Sequence, residues 1–384
     1  MQRQIGHLKG KSEGPTVIFF AGIHGNEPAG VFALQEVFSE LKGQENELFG
    51  EFIGVAGNLK ALKKQVRFLE EDLNRIWQPH RLGSFLQNKD EAMYEAEELV
   101  ELFGLIQQVI ANCNRPIYFI DLHTTSGETE PFIVMNDSLL NRRFAKNFPF
   151  PVILGIEEYL NGALLSQINE MGYVSIGFES GQHHSEEAIA NAKYFIRYTL
   201  ALVGITNEDH KTLLNKKSHL GRANNGSQQF YEIYYQHLIG DNPSFKMLPG
   251  FANFQSVPKG IAFAMNGDGL ITTTKKRKLF MPLYQDKGDE GFYFIRGIPN
   301  FFLALSKYLR KLALDRCLSL LPGITWTSSR RESMVVNRKV ARFFAKSFFH
   351  LFGYRTREID TNHLVLKSRE RNSKTLEYRR AKWY

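Results

Sequence analysis

Cysteine is nearly missing from this 384-residue chain, which has only Cys113 and Cys317. Two thiols are too few for a disulfide framework or a cysteine-built zinc site. No apolar run approaches the ~18 residues a membrane-spanning helix needs. The stretch Met1 to Gly14 is polar and lacks the apolar core of a secretory signal. No repeat of fixed period and no low-complexity tract is visible. Disorder is also excluded, because 43% hydrophobic and 23% charged residues are ordinary globular proportions. What is left is a reduced, cytoplasmic protein of two or three domains.

The charge is uneven. The formal net charge is +8, but residues 300–384 hold 19 of the 48 basic and 6 of the 40 acidic groups. That is +13 in the last segment against −5 in the rest, which predicts a separate basic module at 299–384. Before it, short β-branched and aromatic runs alternate with helical periodicity. Strands are predicted at Thr16–Ala21, Glu51–Ala56, Pro116–Asp121, Pro131–Met135, Pro151–Leu154 and Tyr173–Phe178. Helices are predicted at Ala29–Leu41, Asp90–Ile110, Leu139–Lys146, Ala163–Met171 and Glu186–Val203. Such alternation means an α/β domain over 1–205, with a largely parallel sheet covered by helices on both faces. Its reactive groups belong in loops at the C-terminal ends of strands. Residues 206–298, rich in Gly, Asn and Pro, predict a small β-domain.

Three strand ends carry chemistry. The first strand runs into Gly22-Ile23-His24-Gly25-Asn26-Glu27-Pro28, and a His and a Glu three apart in a strand-to-helix turn can face one metal ion. Such a pair is commonplace by itself. The strand ending at Asp121-Leu122-His123-Thr124-Thr125 adds a second His, and neighbouring parallel strands would bring His24, Glu27 and His123 together. Two His and one carboxylate leave the fourth position of a tetrahedral zinc open to water. Asp121 or a backbone carbonyl could orient a ring N–H. A third strand end supplies Glu179-Ser180-Gly181, a carboxylate able to relay a proton. Between these lie Arg67 and Asp72-Leu73-Asn74-Arg75, where an amide beside a guanidinium fork suits a carboxylate. Read singly, each has a bland alternative: a buried histidine, a capping glutamate, a solvated charged helix.

The ordered set His-Gly-Asn-Glu, Asp-Leu-Asn-Arg, Asp-Leu-His-Thr-Thr and Glu-Ser-Gly resembles the succinylglutamate desuccinylase/aspartoacylase family, relatives of the zinc carboxypeptidases. The resemblance extends over roughly residues 4–300. It implies a mixed-sheet α/β hydrolase domain and a smaller β-domain that narrows the entrance to the site. It further implies one Zn2+ held by His24, Glu27 and His123, with Glu179 as general base and acid. Asn74 and Arg75 match the carboxylate-binding pair, Arg67 the carbonyl-polarising arginine, and Tyr284 a substrate-contacting tyrosine. His183 and His184 read as rim residues. One departure stands out: aspartoacylase has an arginine some ten positions before the catalytic glutamate for a second substrate carboxylate. Here Ser166-Gln-Ile-Asn-Glu-Met171 holds no basic residue. Arg142, Arg143 or Lys146 could substitute from another loop.

The sequence therefore predicts a zinc-dependent amidohydrolase that cleaves a small N-acyl amino acid carrying a carboxylate. The alternatives are a zinc carboxypeptidase or cell-wall peptidase using the same site, and a membrane-surface binding protein with a vestigial one. No nucleic-acid partner is expected, and a homo-oligomer is compatible with the sequence. In the basic segment, Phe301, Phe302, Leu305, Leu309 and Leu312 recur at helical spacing opposite Lys307, Arg310 and Lys311. Val336, Val340, Phe343 and Phe344 do so beside Arg338, Arg342 and Lys346. These predict two amphipathic helices that dock their apolar faces on the body, with membrane contact the less favoured reading. Residues 372–384 read as a polar, disordered end.

Overall fold

The computed structural model describes residues 2–87, 93–113, 115–216, 228–240, 244–327, 332–337, 339–340, 346–360 and 363–384. Its central feature is an eleven-stranded mixed sheet. Eight of the strands are β1 (Gln4–Lys9), β2 (Ser12–Ala21), β3 (Phe49–Ala56), β4 (Ile117–Thr125), β5 (Phe132–Met135), β6 (Val152–Leu154), β7 (Val174–Gln182) and β8 (Phe230–Leu238). The order across the sheet is β1-β3-β2-β4-β7-β5-β6-β8, continued by Glu290–Gly297, Arg277–Phe280 and Ser256–Val257. β3, β2, β4 and β7 are mutually parallel, whereas β5 runs against β7. The α/β expectation therefore holds.

Strand alternation divides the core. Val17, Phe19 and Ala21 of β2, with Tyr118, Ile120 and Leu122 of β4, pack into one apolar layer. That layer is covered by the helices Ala29–Leu41 and Glu186–Val203. Ile18 and Phe20, with Ile117 and Phe119, face the other way, onto the helix Tyr94–Asn112. Successive side chains of a strand point to opposite faces, so unbroken apolar runs like Val17–Ala21 fit only a strand buried on both sides. The start of the long acidic helix, residues 90–92 of the prediction, lies outside the described residues.

In residues 206–298, β8 pairs parallel to β6 and carries the strands Glu290–Gly297 and Arg277–Phe280 beyond it, so this region extends the main sheet. Phe245–Met247, Ala262–Asn266 and Gly269–Thr272 form a small antiparallel sheet of their own.

The C-terminal segment departs most from expectation. The helix Asn300–Lys311 is present, but it buries Leu303, Ser306 and Arg310 and leaves Phe301 69% and Leu312 67% exposed. Of the three basic residues predicted to be solvated, Arg310 is instead buried, because it meets the buried Asp137 of the body and Glu370 of its own segment, while Lys307 and Lys311 stay exposed. Val336 is not helical. It lies in the strand Ser333–Asn337 of a four-stranded antiparallel sheet with Ile324–Trp326, His363–Ser368 and Tyr354–Asp360. Met334 and Val336 alternate inward into their own small core, a period-two pattern that prevails over the i, i+4 reading. Phe343 and Phe344 lie outside the described residues. The last residues are ordered too: Tyr378 and Trp383 are buried in the main apolar layer beside Tyr118 and Phe144.

Candidate active site

β2, β4 and β7 lie side by side and end at one edge. Ala21 of β2 pairs with Leu122 of β4, and His123 of β4 pairs with Glu179 of β7. The loop after β2 folds back tightly: a Cβ on Gly25 would sit 2.1 Å from the Ala61 carbonyl carbon, so only glycine fits between His24 and Asn26. His24, Glu27 and His123 thereby converge, all buried, with one ligand atom from each within 4.8 Å of the others.

Each imidazole has a carboxylate at both nitrogens. His24 Nδ1 stands 2.8 Å from Glu27 Oε1, and its Nε2 3.0 Å from Asp72 Oδ1. His123 Nδ1 stands 3.0 Å from Glu27 Oε2, and its Nε2 2.8 Å from Asp121 Oδ2. A neutral ring has one proton and can serve only one of two carboxylates. With that proton directed to Asp72 and Asp121, two Nδ1 lone pairs and the Glu27 carboxylate face a common point. This donor set fits a divalent cation such as zinc, with the outer carboxylates orienting the rings. Although burial opposes ionisation, the two imidazoles hold the Glu27 carboxyl well below the usual carboxylate range. Likewise, despite burial, Asp121 and Glu27 raise the His123 imidazole well above its ordinary value. Asp72 is held low, against burial, by His24, Arg67 and Arg75.

Glu179 is buried beside this cluster, and its Oε2 has no hydrogen-bond partner among the described residues. Burial pushes its carboxyl above the ordinary range; His123 and Arg67 oppose the shift, while Glu27 and Asp121 add to it. A carboxyl that is easily protonated there is suited to taking and giving a proton.

Arg67 gives Asp72 Oδ2 hydrogen bonds from Nε (3.2 Å) and Nη2 (2.9 Å), and its Nη1 lies 3.7 Å from Glu27 Oε1. Asn74 Oδ1 accepts from the Leu164 N–H, so the amide is pinned with its NH2 end available. Both line one cavity together with Arg75, the His-Glu-His cluster and Glu179. Arg75 donates from Nη2 to both oxygens of Glu290, at 3.1 and 3.2 Å. One guanidinium nitrogen of Arg75 is thus already engaged with a carboxylate of the chain itself, and Nη1 donates to the Asn74 carbonyl at 3.1 Å.

Tyr284 is not in the cavity wall. It is 37% exposed, and its hydroxyl ties the Leu248 and Phe251 backbone together. The tyrosine that lines the cavity is Tyr293, buried three residues after Glu290. Tyr284 follows a proline turn at a strand exit, whereas Tyr293 sits within the strand whose inner face points at the site. His183 does line the cavity, bonded to Thr124 Oγ1 and Gln285 Oε1, while His184 is exposed. Ser166, in the stretch without a basic residue, also lines it; Arg142 is absent from the wall and is buried against Asp137. Sequence reasoning missed Glu290, Tyr293, Gln285 and Glu157, and gave Asp72 no task. Only Asp72 had a local signal, its place in Asp-Leu-Asn-Arg.

Residues 13–200 match the succinylglutamate desuccinylase/aspartoacylase catalytic domain. A succinylglutamate desuccinylase from Photorhabdus laumondii is 30% identical over 135 residues, which is 35% of this chain and 40% of that protein's length. A probable aspartoacylase from Prochlorococcus marinus is 26% identical over 284 residues, 70% of this chain and 87% of that one. The crystal structure of a succinylglutamate desuccinylase/aspartoacylase from Rhodobacter sphaeroides shares the fold. Its TM-score is 0.57 at 17% identity, over 76% of this chain and 88% of that one. Motif order, strand-end geometry and these likenesses agree: across residues 13–200 the chain carries the catalytic domain of the succinylglutamate desuccinylase/aspartoacylase family of hydrolases.

Proposed function

We propose that the chain is a zinc-dependent deacylase that hydrolyses the amide of a small N-acyl amino acid. The observation that carries this reading is the convergence of His24, Glu27 and His123 beside Glu179, whose Oε2 has no hydrogen-bond partner among the described residues. His24 Nδ1, His123 Nδ1 and Glu27 would hold the metal, with Asp72 and Asp121 fixing the two rings. Zinc, when bound, lowers the pKa of a coordinated water toward neutrality and polarises a carbonyl oxygen.

The chain's own residues do the rest. Glu179 takes a proton from the attacking water as the new C–O bond forms at the amide carbon. The Arg67 guanidinium, held by Asp72, offsets negative charge building on the former carbonyl oxygen. Glu179 then gives the proton to the departing nitrogen as the C–N bond breaks, releasing a carboxylic acid and an amine. Asn74 and Arg75 orient the substrate through a carboxylate, with Arg75 sharing or exchanging its bond to Glu290. Tyr293, which lines the cavity, would touch the substrate there.

The test pairs metal content with turnover. Purified protein should contain close to one zinc per chain and hydrolyse N-acyl amino acids, and His123→Ala should lose both. A protein that stays metal-free after incubation with zinc would overturn the reading. Hydrolysis of peptides but not of N-acyl amino acids would favour the peptidase alternative.

A further inference from the structure

One buried carboxylate in the cavity wall has no task in that chemistry. Glu157 is 1% exposed and lines the same cavity as the His-Glu-His cluster. Its Oε1 accepts from Arg369 Nε at 2.7 Å and from the Asp137 N–H at 3.2 Å. Its Oε2 has no hydrogen-bond partner among the described residues. Leaving a buried carboxylate oxygen unsatisfied is costly, and such groups in native proteins call for an explanation.

The surroundings give one. In the same wall Val134, Leu160 and Leu165 are apolar, and Asn136, next in the chain to the Asp137 N–H that Glu157 accepts, hydrogen-bonds Ser166 at 3.3 Å. The two guanidinium groups in the described cavity wall, Arg67 and Arg75, are engaged with Asp72 and Glu290. Arg369 backs Glu157 from behind without lining the cavity. A carboxylate entering this end would meet another carboxylate and no arginine. A hydrogen-bond donor would complete the shell of Oε2.

We infer that Glu157 is a specificity-determining residue, whose free oxygen accepts a hydrogen bond from an amide, hydroxyl or ammonium group on the substrate and turns away a carboxylate at that position. Arg369, from the C-terminal sheet, is its positioning residue, which gives residues 299–384 a part in substrate choice. The inference rests on the deacylase reading for its substrates, but it can be tested by binding alone.

In a zinc-loaded Glu179→Gln background, calorimetry compares N-acetyl-asparagine with N-acetyl-aspartate, and N-acetyl-glutamine with N-acetyl-glutamate. The amide member of at least one pair should bind ten-fold or more tightly, and adding Glu157→Gln should reduce that preference at least five-fold. Arg369→Lys should weaken the preference in the same direction, at unchanged zinc content. No binding, equal affinities, a preference for the acids, or a preference unmoved by Glu157→Gln would each overturn the inference. The comparison at intact Glu157 decides even where a Glu157 variant does not fold. Turnover by the unaltered enzyme judges the deacylase reading separately.

Discussion

The hydroxyl of Tyr378 donates to the carbonyl of Ile117 and accepts the N–H of Val174, stitching the starts of β4 and β7 together from a point 261 residues beyond the first. Trp383 adds its indole N–H to the Tyr118 hydroxyl and packs on Phe144. The end of the chain is therefore a plug for the catalytic domain. Trp383→Ala should cost about 3 kcal/mol, as for other large buried aromatics. Tyr378→Phe should cost about 1–3 kcal/mol, because it strands a buried N–H and C=O. A chain ending at residue 371 should unfold at lower urea than the full chain. Equal urea midpoints for the two would show that the plug contributes nothing.

Glu179 is the group whose loss should separate metal binding from chemistry. It is not among the three converging ligand groups, so Glu179→Gln should keep zinc at the unaltered level while turnover falls about 10²–10⁴-fold, the range for a positioned general base. Parallel metal analysis and single-turnover kinetics check this. Residual turnover within a factor of a few would assign the proton relay to another group.

The sequence was most legible where local pattern and topology coincide. Val17–Ala21 is apolar at every position because both its faces are buried, and the residues at or just past the C-terminal ends of such strands, His24, Glu27, His123 and Glu179, are the ones that share the cavity. What it hid were pairings across long distances. Glu290 reaches Arg75 from 215 positions away, and no spacing rule announces that. Periodicity assigns Arg310 to the solvated side, because spacing records which residues share a face and not what the guanidinium meets. Here it meets Asp137 and Glu370. Tyr378 and Trp383 were lost in a polar stretch for a related reason: two aromatics that anchor a tail leave no periodic signature.

Arg75 and Glu290 give a prediction in which stability and affinity come apart. Despite burial, Asp72 and Glu290 hold the Arg75 guanidinium firmly charged. Arg75→Ala should raise KM for substrates bearing a carboxylate, with a smaller effect on kcat. It should also destabilise the fold by about 1–3 kcal/mol by leaving the part-buried Glu290 carboxylate without its guanidinium partner. The double variant Arg75→Ala/Glu290→Ala should recover much of that stability while KM stays high. If stability and KM recover together, Arg75 acts only through packing and does not grip the substrate.

The junction between the catalytic domain and the C-terminal sheet should be sensitive to acid, and Glu158 shows why. Burial alone would raise its carboxyl, but the His350 imidazole 3.5 Å away and Arg369, at 2.6 Å, bring it down to about 2, helped by the Thr356 hydroxyl. The neighbouring Asp137 is likewise depressed, against burial, by Arg142, Arg310 and Arg369. A carboxyl whose pKa is lower folded than unfolded contributes stability that is complete above the unfolded value, roughly 4.3, and is lost as pH falls through the folded one. For Glu158 the linkage amounts to about 3 kcal/mol, fully present at pH 7 and fading between about pH 4.5 and 2. Urea unfolding of the unaltered chain and of Glu158→Gln should therefore differ by a few kcal/mol at pH 7, and the two should draw together as the pH is lowered through that window. A gap that stays constant from pH 7 to 3 would mean that Glu158 contributes through its shape and not its charge.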